Sequence, residues 1–165
     1  TMAKLDPIVE FREDHRKVRD GLMKLASAAE SGDLDTARTT LGDINVAVGP
    51  HFRYEEESLY PAMKEFLGEY MDRLIEEHDG AIKTARVAAQ ILSQSSVSAE
   101  EGKAAAGAAR TLLIHVSNCD GLNILAERFS QAKLDQLADA FQKSRDQGVP
   151  LLEWAEKIRE RKVAA

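Results

Sequence analysis

The chain has 165 residues, of which 44% are hydrophobic and 30% charged, and its net charge is −6. This length and composition predict one globular domain, and the acidic balance argues against nucleic acid or an anionic membrane as the main partner. The single cysteine, Cys119, excludes an internal disulfide and suits a reducing compartment. No apolar run reaches membrane-spanning length and no signal-peptide pattern opens the chain, so we expect no membrane span and a cytoplasmic location.

Apolar residues recur every three or four positions along most of the chain, a spacing that is typical of helices with one buried face. The first such segment begins at Asp6-Pro7 and ends at residues 31–33, and the second runs from Leu34 to Met63. Within the second segment, Gly49-Pro50 predicts a bend or a loosened turn just before His51, because proline removes one backbone hydrogen bond.

Two further segments have the same period, one from Met71 to Leu92 and one from Ala105 to Phe129, with polar residues 93–98 between them. A fifth segment, residues 134–141, and a last stretch around Trp154 follow; the last stretch would pack across the bundle or against another chain. We predict an all-α protein, an up-and-down four-helix bundle with an extra C-terminal helical segment. One domain would span residues 1–165, with its bundle core at about 5–130 and the extension at about 131–162.

All four histidines of the chain fall on these apolar stripes, one to each bundle helix. They are His15, His51, His78 and His115. Neutral imidazole is the commonest protein ligand for iron and zinc, and a bundle can point side chains from all its helices at one place. We therefore predict that the four imidazoles converge on metal. The alternative for each is a hydrogen-bonded core histidine.

Glu55 follows His51 by four residues and so lies on the same helix face. A carboxylate in that seam is costly unless a cation neutralises it, and a metal ion would do so; the alternative is a side chain that extends to solvent. The Glu-x-x-His pattern of ferritin-like sites is absent, because no histidine has a glutamate three residues before it. More than four imidazole and carboxylate donors suit iron or manganese better than zinc.

Several short motifs resemble a known family, the hemerythrin-like, HHE cation-binding domains. They are Asp14-His15, the segment His51 to Pro61 (HFRYEEESLYP), Glu77-His78, and His115 with an acid nearby. The resemblance runs from Leu5 to about Phe141 and implies a four-helix bundle around a non-haem di-iron centre bridged by carboxylates. Two iron ions are expected, with one as the alternative. The ligands that the resemblance implies by position are His15, His51, Glu55, His78 and His115.

The chain departs from the family pattern at two positions. True hemerythrins have a second third-helix histidine where this chain has Ile82, which would leave an open or water-filled position, or a single metal. Many relatives have glutamate where this chain has Cys119, a thiolate ligand or a small buried thiol. Asp120 matches the aspartate that bridges the irons in true hemerythrins and is the sixth predicted ligand. It would reach the metal only through a local helix distortion, which Gly121 would ease.

The resemblance implies a protein that binds or senses dioxygen or a related small ligand, such as NO or peroxide, without converting an organic substrate. Alternatives are an enzyme that consumes peroxide or O2, iron storage or sensing through metal-dependent folding, and a metal-free helical adaptor that uses the Trp154 region. Tyr54 and Tyr60 flank the site in sequence, where each would either assist the metal or pack at the core edge. A homo-oligomer stays open.

Overall fold

The computed structural model describes residues 4–164, and this part of the chain is helical with no strand. The elements are α1 (Pro7–Ser31), α2 (Leu34–Tyr54), a π-helical turn (Glu55–Leu59), α3 (Tyr60–Leu67), α4 (Tyr70–Leu92), α5 (Ala99–Asp120), α6 (Asn123–Ala126), α7 (Gln131–Gln147) and α8 (Leu151–Lys157). The ends of the predicted domain, residues 1–3 and 165, lie outside the described residues. Among the helices of residues 4–164, none combines the length and apolar character that a membrane crossing needs.

Helix boundaries follow from capping residues in the sequence. The Asp6 carboxylate accepts hydrogen bonds from the N–H groups of Ile8 and Val9, which otherwise have no partner at the start of α1. Gly32 ends α1 with φ +78°, a left-handed conformation that favours glycine. At the start of α5, Ser98 and Glu101 cap each other's backbone N–H groups. These local signals place the ends of the long helices independently of the core.

The predicted up-and-down four-helix bundle is confirmed. α1 packs extensively against α2 and α5, and α4 packs against α5, whereas α2 and α4 touch each other much less. The rod that begins as α2 continues through the π-helical turn into α3, so it contains the whole of the predicted second segment. The sparse packing between α2 and α4 leaves one side of the bundle less tightly closed than the others.

The C-terminal segment packs across the bundle, one of the two arrangements that the sequence left open. α7 lies against α2 and α1, and α8 lies against α2 and α4. The largest side chains of the segment, Phe141 and Trp154, are buried in the bundle core. Because these two aromatic residues contribute a large apolar area, the extension is an integral part of the core.

The extension meets the backbone of α2 at Gly49-Pro50. A Cβ at Gly49 would overlap the carbonyl oxygen of Val149, so this close approach requires glycine. The Ser144 hydroxyl donates a hydrogen bond to the Pro50 carbonyl at 2.6 Å. The α-helix nevertheless continues through Pro50, and the irregular hydrogen bonding lies after His51, in the π-helical turn. The loosening that the sequence predicted before His51 therefore falls a few residues later.

Two apolar clusters meet around the histidines. Phe11, from one cluster, lies with its ring centroid 4.3 Å from that of His15. Phe52, from the other, stacks on His78 at 3.7 Å. All four histidines are buried. Aromatic rings thus cover the imidazoles and separate them from water.

Candidate metal centre

The π-helical turn places Glu55 inside the bundle. The N–H of Tyr60 donates to the carbonyl of Glu55, an i→i+5 hydrogen bond that adds one residue to the turn. Glu55 is 0% exposed, whereas Glu57 on the same turn is exposed. Turns of this kind are frequent at functional sites. Here the turn directs the first of three consecutive glutamates into the core.

Three imidazoles surround the carboxylate of Glu55. Its Oε1 lies 2.9 Å from Nε2 of His51 and 3.7 Å from Nε2 of His15. Its Oε2 lies 2.8 Å from Nε2 of His78. The structure therefore brings together side chains of α1, α2 and α4 around one buried carboxylate. One carboxylate oxygen faces His15 and His51, and the other faces His78.

His115 adds the fourth imidazole, from α5. Its ring centroid lies 4.6 Å from that of His78. Its Nε2 is buried and makes no hydrogen bond within residues 4–164. Two sets of metal-ligating atoms share Glu55, and in each set the atoms lie within 4.8 Å of one another. The sets are His15, His51 and Glu55, and Glu55, His115 and Cys119.

Each imidazole also contacts a carboxylate through its outer nitrogen, Nδ1. The distances are 3.1 Å for His15 and Asp120, 2.9 Å for His51 and Asp14, 2.8 Å for His78 and Glu56, and 2.9 Å for His115 and Glu77. In every pair the acid comes from a different helical element than the histidine, so the pairs form a closed ring around the bundle. We call these four acids the outer carboxylates.

The outer carboxylates make the inner group fit a cation. A carboxylate at Nδ1 keeps the proton on that nitrogen and leaves a lone pair on Nε2, as in metal-binding histidines. The Nε2 atoms of His15 and His51 lie only 3.1 Å apart, and that of His115 has no donor. Nε2 of His115 is therefore a buried acceptor without a donor within the described residues, and this costs free energy that a bound metal ion would remove. The donor chemistry therefore fits a metal held by imidazole and carboxylate.

A buried arginine supports the outer carboxylate of His78. Arg159, which follows α8, donates to both oxygens of Glu56, at 2.6 Å from Nη2 and 3.0 Å from Nε. Its Nη1 donates to Asp79 at 2.7 Å. This two-pronged geometry is characteristic of strong arginine–carboxylate pairs. A chain of contacts thus leads from Arg159 through Glu56 to His78.

A second arginine supports the outer carboxylate of His51. Arg145, in α7, donates to Asp14 at 2.9 Å and to Glu10 at 2.7 Å. Asp14 in turn contacts Nδ1 of His51. Both supporting arginines therefore come from the C-terminal extension, and each reaches a different imidazole of the centre.

The charges of the inner group depend on one another. Burial alone would raise the pKa of Glu55, but the neighbouring imidazoles, led by His51, hold it well below its usual range. Burial alone would lower the pKa of His51, but Glu55 and Asp14 raise it to about 9. Burial, together with the charge of His78, lowers the pKa of His115 to about 4. A metal ion that binds here would therefore displace a proton from His51.

Two neutral donors touch the Glu55 carboxylate. The thiol of Cys119 lies 2.9 Å from Oε1, and the Tyr60 hydroxyl donates to Oε2 at 2.9 Å. Burial and the charge of Glu55 raise the pKa of both groups, so both keep their protons. Tyr54 behaves differently, because its ring stacks on Phe141 at 4.1 Å in the core. Of the two flanking tyrosines, Tyr60 is the one that reaches the centre.

Asp120 lies on the outer side of the centre. Its Oδ1 contacts Nδ1 of His15 at 3.1 Å, and its side chain is 40% exposed. Glu55 faces the opposite nitrogen of that imidazole, so the ring of His15 separates the two carboxylates. The assignment of Asp120 as a metal ligand stays a prediction. Ile82 is fully buried in the apolar core and offers no donor.

Sequence reasoning missed most of the surrounding shell. The missed residues are Asp14, Glu56 and Glu77 among the outer carboxylates, and the two arginines, Arg145 and Arg159. A partial signal existed for two of the acids, since Asp14 and Glu77 directly precede His15 and His78. No sequence signal singled out either arginine.

The profile of one protein family, described as Hemerythrin HHE cation binding domain, matches residues 6–124, which is more than half of the chain. The chain belongs to this family. The matched range contains all four histidines and Glu55, and it ends before α7, so both supporting arginines lie beyond it. The buried cluster of histidine and glutamate in a cation-binding domain indicates metal binding. No curated protein and no solved structure matches the chain significantly.

Proposed function

We propose that the protein binds two iron ions at this centre and uses them to bind or sense dioxygen or a related small oxidant. The observation that carries the proposal is the orientation of the imidazoles: every Nδ1 contacts a carboxylate, and the Nε2 atoms lie around Glu55. His15 and His51 would hold one ion with Oε1 of Glu55. His78 and His115 would hold the other, which would share Glu55 with the first.

The donor set supports iron over zinc. Imidazole and carboxylate donors in excess of four suit iron or manganese, whereas closed zinc sites usually take four ligands and often thiolates. Cys119 lies within the group, but burial and Glu55 raise its pKa, which favours the thiol over the thiolate. A single carboxylate between two pairs of imidazoles would bridge two ions without leaving either pair unused.

Ferrous iron with an open coordination position supplies reversible binding of O2 or NO. The chain contributes the surroundings: Phe11 and Phe52 cover imidazoles and exclude water. The Tyr60 hydroxyl donates to Oε2 of Glu55 at 2.9 Å, and its oxygen lies 3.2 Å from Nε2 of His78. Because Ile82 replaces a donor that the resemblance would place there, one ion would keep a position free for a small ligand.

A catalyst that consumes peroxide or O2 is the second candidate. The Tyr60 hydroxyl and the Cys119 thiol lie 3.3 Å apart beside the same carboxylate, and both retain their protons. Two proton donors next to a metal centre suit reduction of a bound oxidant, because that chemistry takes up protons, while bound ferrous iron would supply the electrons.

Anaerobic loading with ferrous iron, followed by metal analysis, tests the ligand assignment. We expect about two irons per chain for the natural protein and a loss of most of this iron in Glu55→Gln, because the amide cannot bridge two cations. Glu57→Gln is the matched control, since Glu57 lies on the same turn but is exposed. Full iron content in Glu55→Gln would contradict the proposal.

Stopped-flow absorbance after mixing the ferrous protein with O2 separates the two candidate functions. A new absorbance band that disappears when O2 is removed supports binding or sensing. Sustained loss of added peroxide over many turnovers, with an external reductant present to return the iron to the ferrous state, supports the enzyme. A spectrum that no small oxidant changes would exclude both.

A further inference from the structure

A large apolar cavity extends from the histidines toward the opposite end of the bundle. Its volume is about 440 Å³, and its walls are mostly Leu, Val, Ile and Ala. The imidazoles of His15, His51 and His115 form one end, and Arg38 and Ser93 lie at the other. Protein interiors seldom keep voids larger than a water molecule. This one is about three times the roughly 150 Å³ of an engineered apolar cavity that stays dry and binds benzene.

Small side chains on two helices create the cavity. α4 presents Ala81, Ala85 and Ala88 to it, and α5 presents Ala108 and Ala109. The alanines of α4 extend over about two turns, so the space is continuous along the bundle axis. An apolar space of this kind offers dispersion contacts along its whole lining. A bound apolar molecule would make these contacts.

The dimensions of the cavity select the shape of its ligand. Arg38 and His51 are about 20 Å apart along α2, at ~1.5 Å per residue. Spread over that length, the volume gives a mean cross-section of about 22 Å². This width admits one extended alkyl chain. At about 1.25 Å per carbon along a zigzag of ~1.52 Å bonds, the length corresponds to roughly 16 carbons.

The charge at the outer end selects the head group. The exposed lining residues are Arg38, Gly42 and Ser93, which places the mouth between the start of α2 and the end of α4. Arg38 donates from Nε to the carbonyl of Leu92 and from Nη2 to that of Gln94, both at 2.7 Å. These bonds hold the guanidinium at the mouth.

The third nitrogen of that guanidinium is available to a ligand. Nη1 of Arg38 makes no hydrogen bond within residues 4–164, and its nearest carboxylate, that of Asp35, is 3.9 Å away and fully exposed. Arg38 is also the only Lys or Arg among the described residues that line the cavity, and no Asp or Glu lines it. An anionic head is therefore favoured at this end, and an apolar tail along the rest.

We propose that this cavity binds a single-chain anionic amphiphile, a long-chain fatty acid in its simplest form. The carboxylate would pair with Arg38 at the mouth, and the alkyl chain would run between the alanines of α4 and α5 until its last carbons lie beside the imidazoles. This site is independent of which metal the centre holds, so its test does not depend on iron or on a small oxidant.

Calorimetric titration of the purified protein with saturated fatty acids of 8 to 20 carbons tests the proposal. We expect the affinity to rise by up to about fourfold per added carbon, the effect of burying one methylene, and to stop rising near 16 carbons. Ala85→Leu fills the cavity part-way, about 12 Å from Ser93, and should move this limit to roughly 10 carbons. Ala104→Leu is the matched control, since Ala104 is an exposed alanine of α5.

The head group is tested separately. Arg38→Gln should weaken binding of the 16-carbon acid by about tenfold, the effect of losing one hydrogen bond to a charged group, and should leave the affinity for the 16-carbon alcohol unchanged. Equal affinity of the natural protein for the acid and the alkylamine would overturn the role of Arg38. Absence of saturable binding, or the same chain-length limit in Ala85→Leu, would overturn the site. If the protein bound anionic phospholipid vesicles but took up no free fatty acid, the charge of Arg38 would be assigned to contact with a membrane surface. This result would also overturn the proposed site.

Discussion

The ring of outer carboxylates has a supported side and an unsupported side. On the supported side, Asp14 and Glu56 are only 17% and 11% exposed, and each accepts hydrogen bonds from an arginine of the C-terminal extension. On the unsupported side, Asp120 and Glu77 are 40% and 33% exposed, and neither contacts an arginine within residues 4–164. Glu77 instead accepts a hydrogen bond from Asn118.

On both sides of the ring a carboxylate must be stabilised beside an imidazole, but the carboxylates differ in their exposure to water. A partly exposed carboxylate is stabilised by water, so Asp120 and Glu77 can hold an imidazole without a counter-charge. A largely buried carboxylate needs a cationic partner. Burial alone would raise the pKa of Glu56, but His78 and Arg159 hold it below its usual range. The supported side therefore depends on residues outside the range that matches the family profile.

Each of the two proposed ions would have one histidine from either side of the ring. His51, on the supported side, would share an ion with His15, and His78 would share the other with His115. Loss of the extension should therefore affect both ions, and each through a single imidazole. This expectation can be tested by removing the arginines and the carboxylates one at a time.

The largest effect should come from Arg159→Ala. The substitution leaves the largely buried Glu56 without its arginine, whereas Asp79 keeps its contact with Arg161. Breaking a buried pair of this kind costs about 3–5 kcal/mol in free energy of unfolding. Arg110→Ala is the matched control, because its pair with Glu30 is exposed at both ends and should contribute ~0–1 kcal/mol.

Urea denaturation of the two arginine variants, with the natural protein beside them, measures these free energies. The comparison between the two sides fails if Arg159→Ala unfolds at the same urea concentration as Arg110→Ala. Arg159→Lys keeps the charge but not the two-pronged contact, so it should recover part of the loss. This intermediate variant separates the effect of charge from that of geometry.

A smaller effect should separate the supported carboxylate Glu56 from the unsupported Glu77. Replacing a carboxylate that orients a metal-binding histidine typically lowers metal affinity by about 10–100-fold. We expect Glu56→Gln to lower the metal affinity by about 100-fold, because it also leaves Arg159 with one anionic partner fewer. Glu77→Gln should lower the metal affinity by about tenfold, since water can compensate at the more exposed site. Competition with a chelator of known affinity measures both, and equal losses would show that the arginine does not matter.

The sequence predicted the inner group because two independent periodicities coincide there. One histidine lies on the apolar stripe of each long segment, and His51 and Glu55 are four residues apart. The fold followed from the same stripes, together with caps such as Asp6 and Gly32. Helical spacing fixes which residues share a face, so both the bundle and the convergence could be anticipated.

The outer shell could not be predicted in the same way, because it depends on contacts between helices. Asp14 precedes His15 in the chain but supports His51 on the next helix. The supporting arginine comes from α7, more than a hundred residues away. The π-helical turn was also missed, since its extra residue per turn has no signature in apolar spacing. Each of these features needs the packed arrangement of the helices.

The pH dependence of the metal-stripped protein should give the smallest and most specific contrast, that between His51 and His115. The folded-state pKa of His51 is about 9, above the ordinary value of 6.5 for histidine. The stability from its protonation is therefore complete below pH 6.5 and is lost as the pH rises toward 9. The folded-state pKa of His115 is about 4. Its contribution is complete above pH 6.5 and is lost as the pH falls toward 4.

Two glutamine substitutions isolate these opposite contributions. For one proton, the free energy of unfolding should change by at most ~1.4 kcal/mol per pH unit. His51→Gln should flatten the decline in this free energy as the pH rises from 7 to 8. In that interval the raised pKa of His78 leaves part of the slope in place. His115→Gln should flatten the decline in the free energy of unfolding as the pH falls from 6.5 to 5, which is above the range in which the carboxyl groups titrate. If both variants changed the same limb of the profile, the two histidines would not occupy electrostatically different sides of the ring.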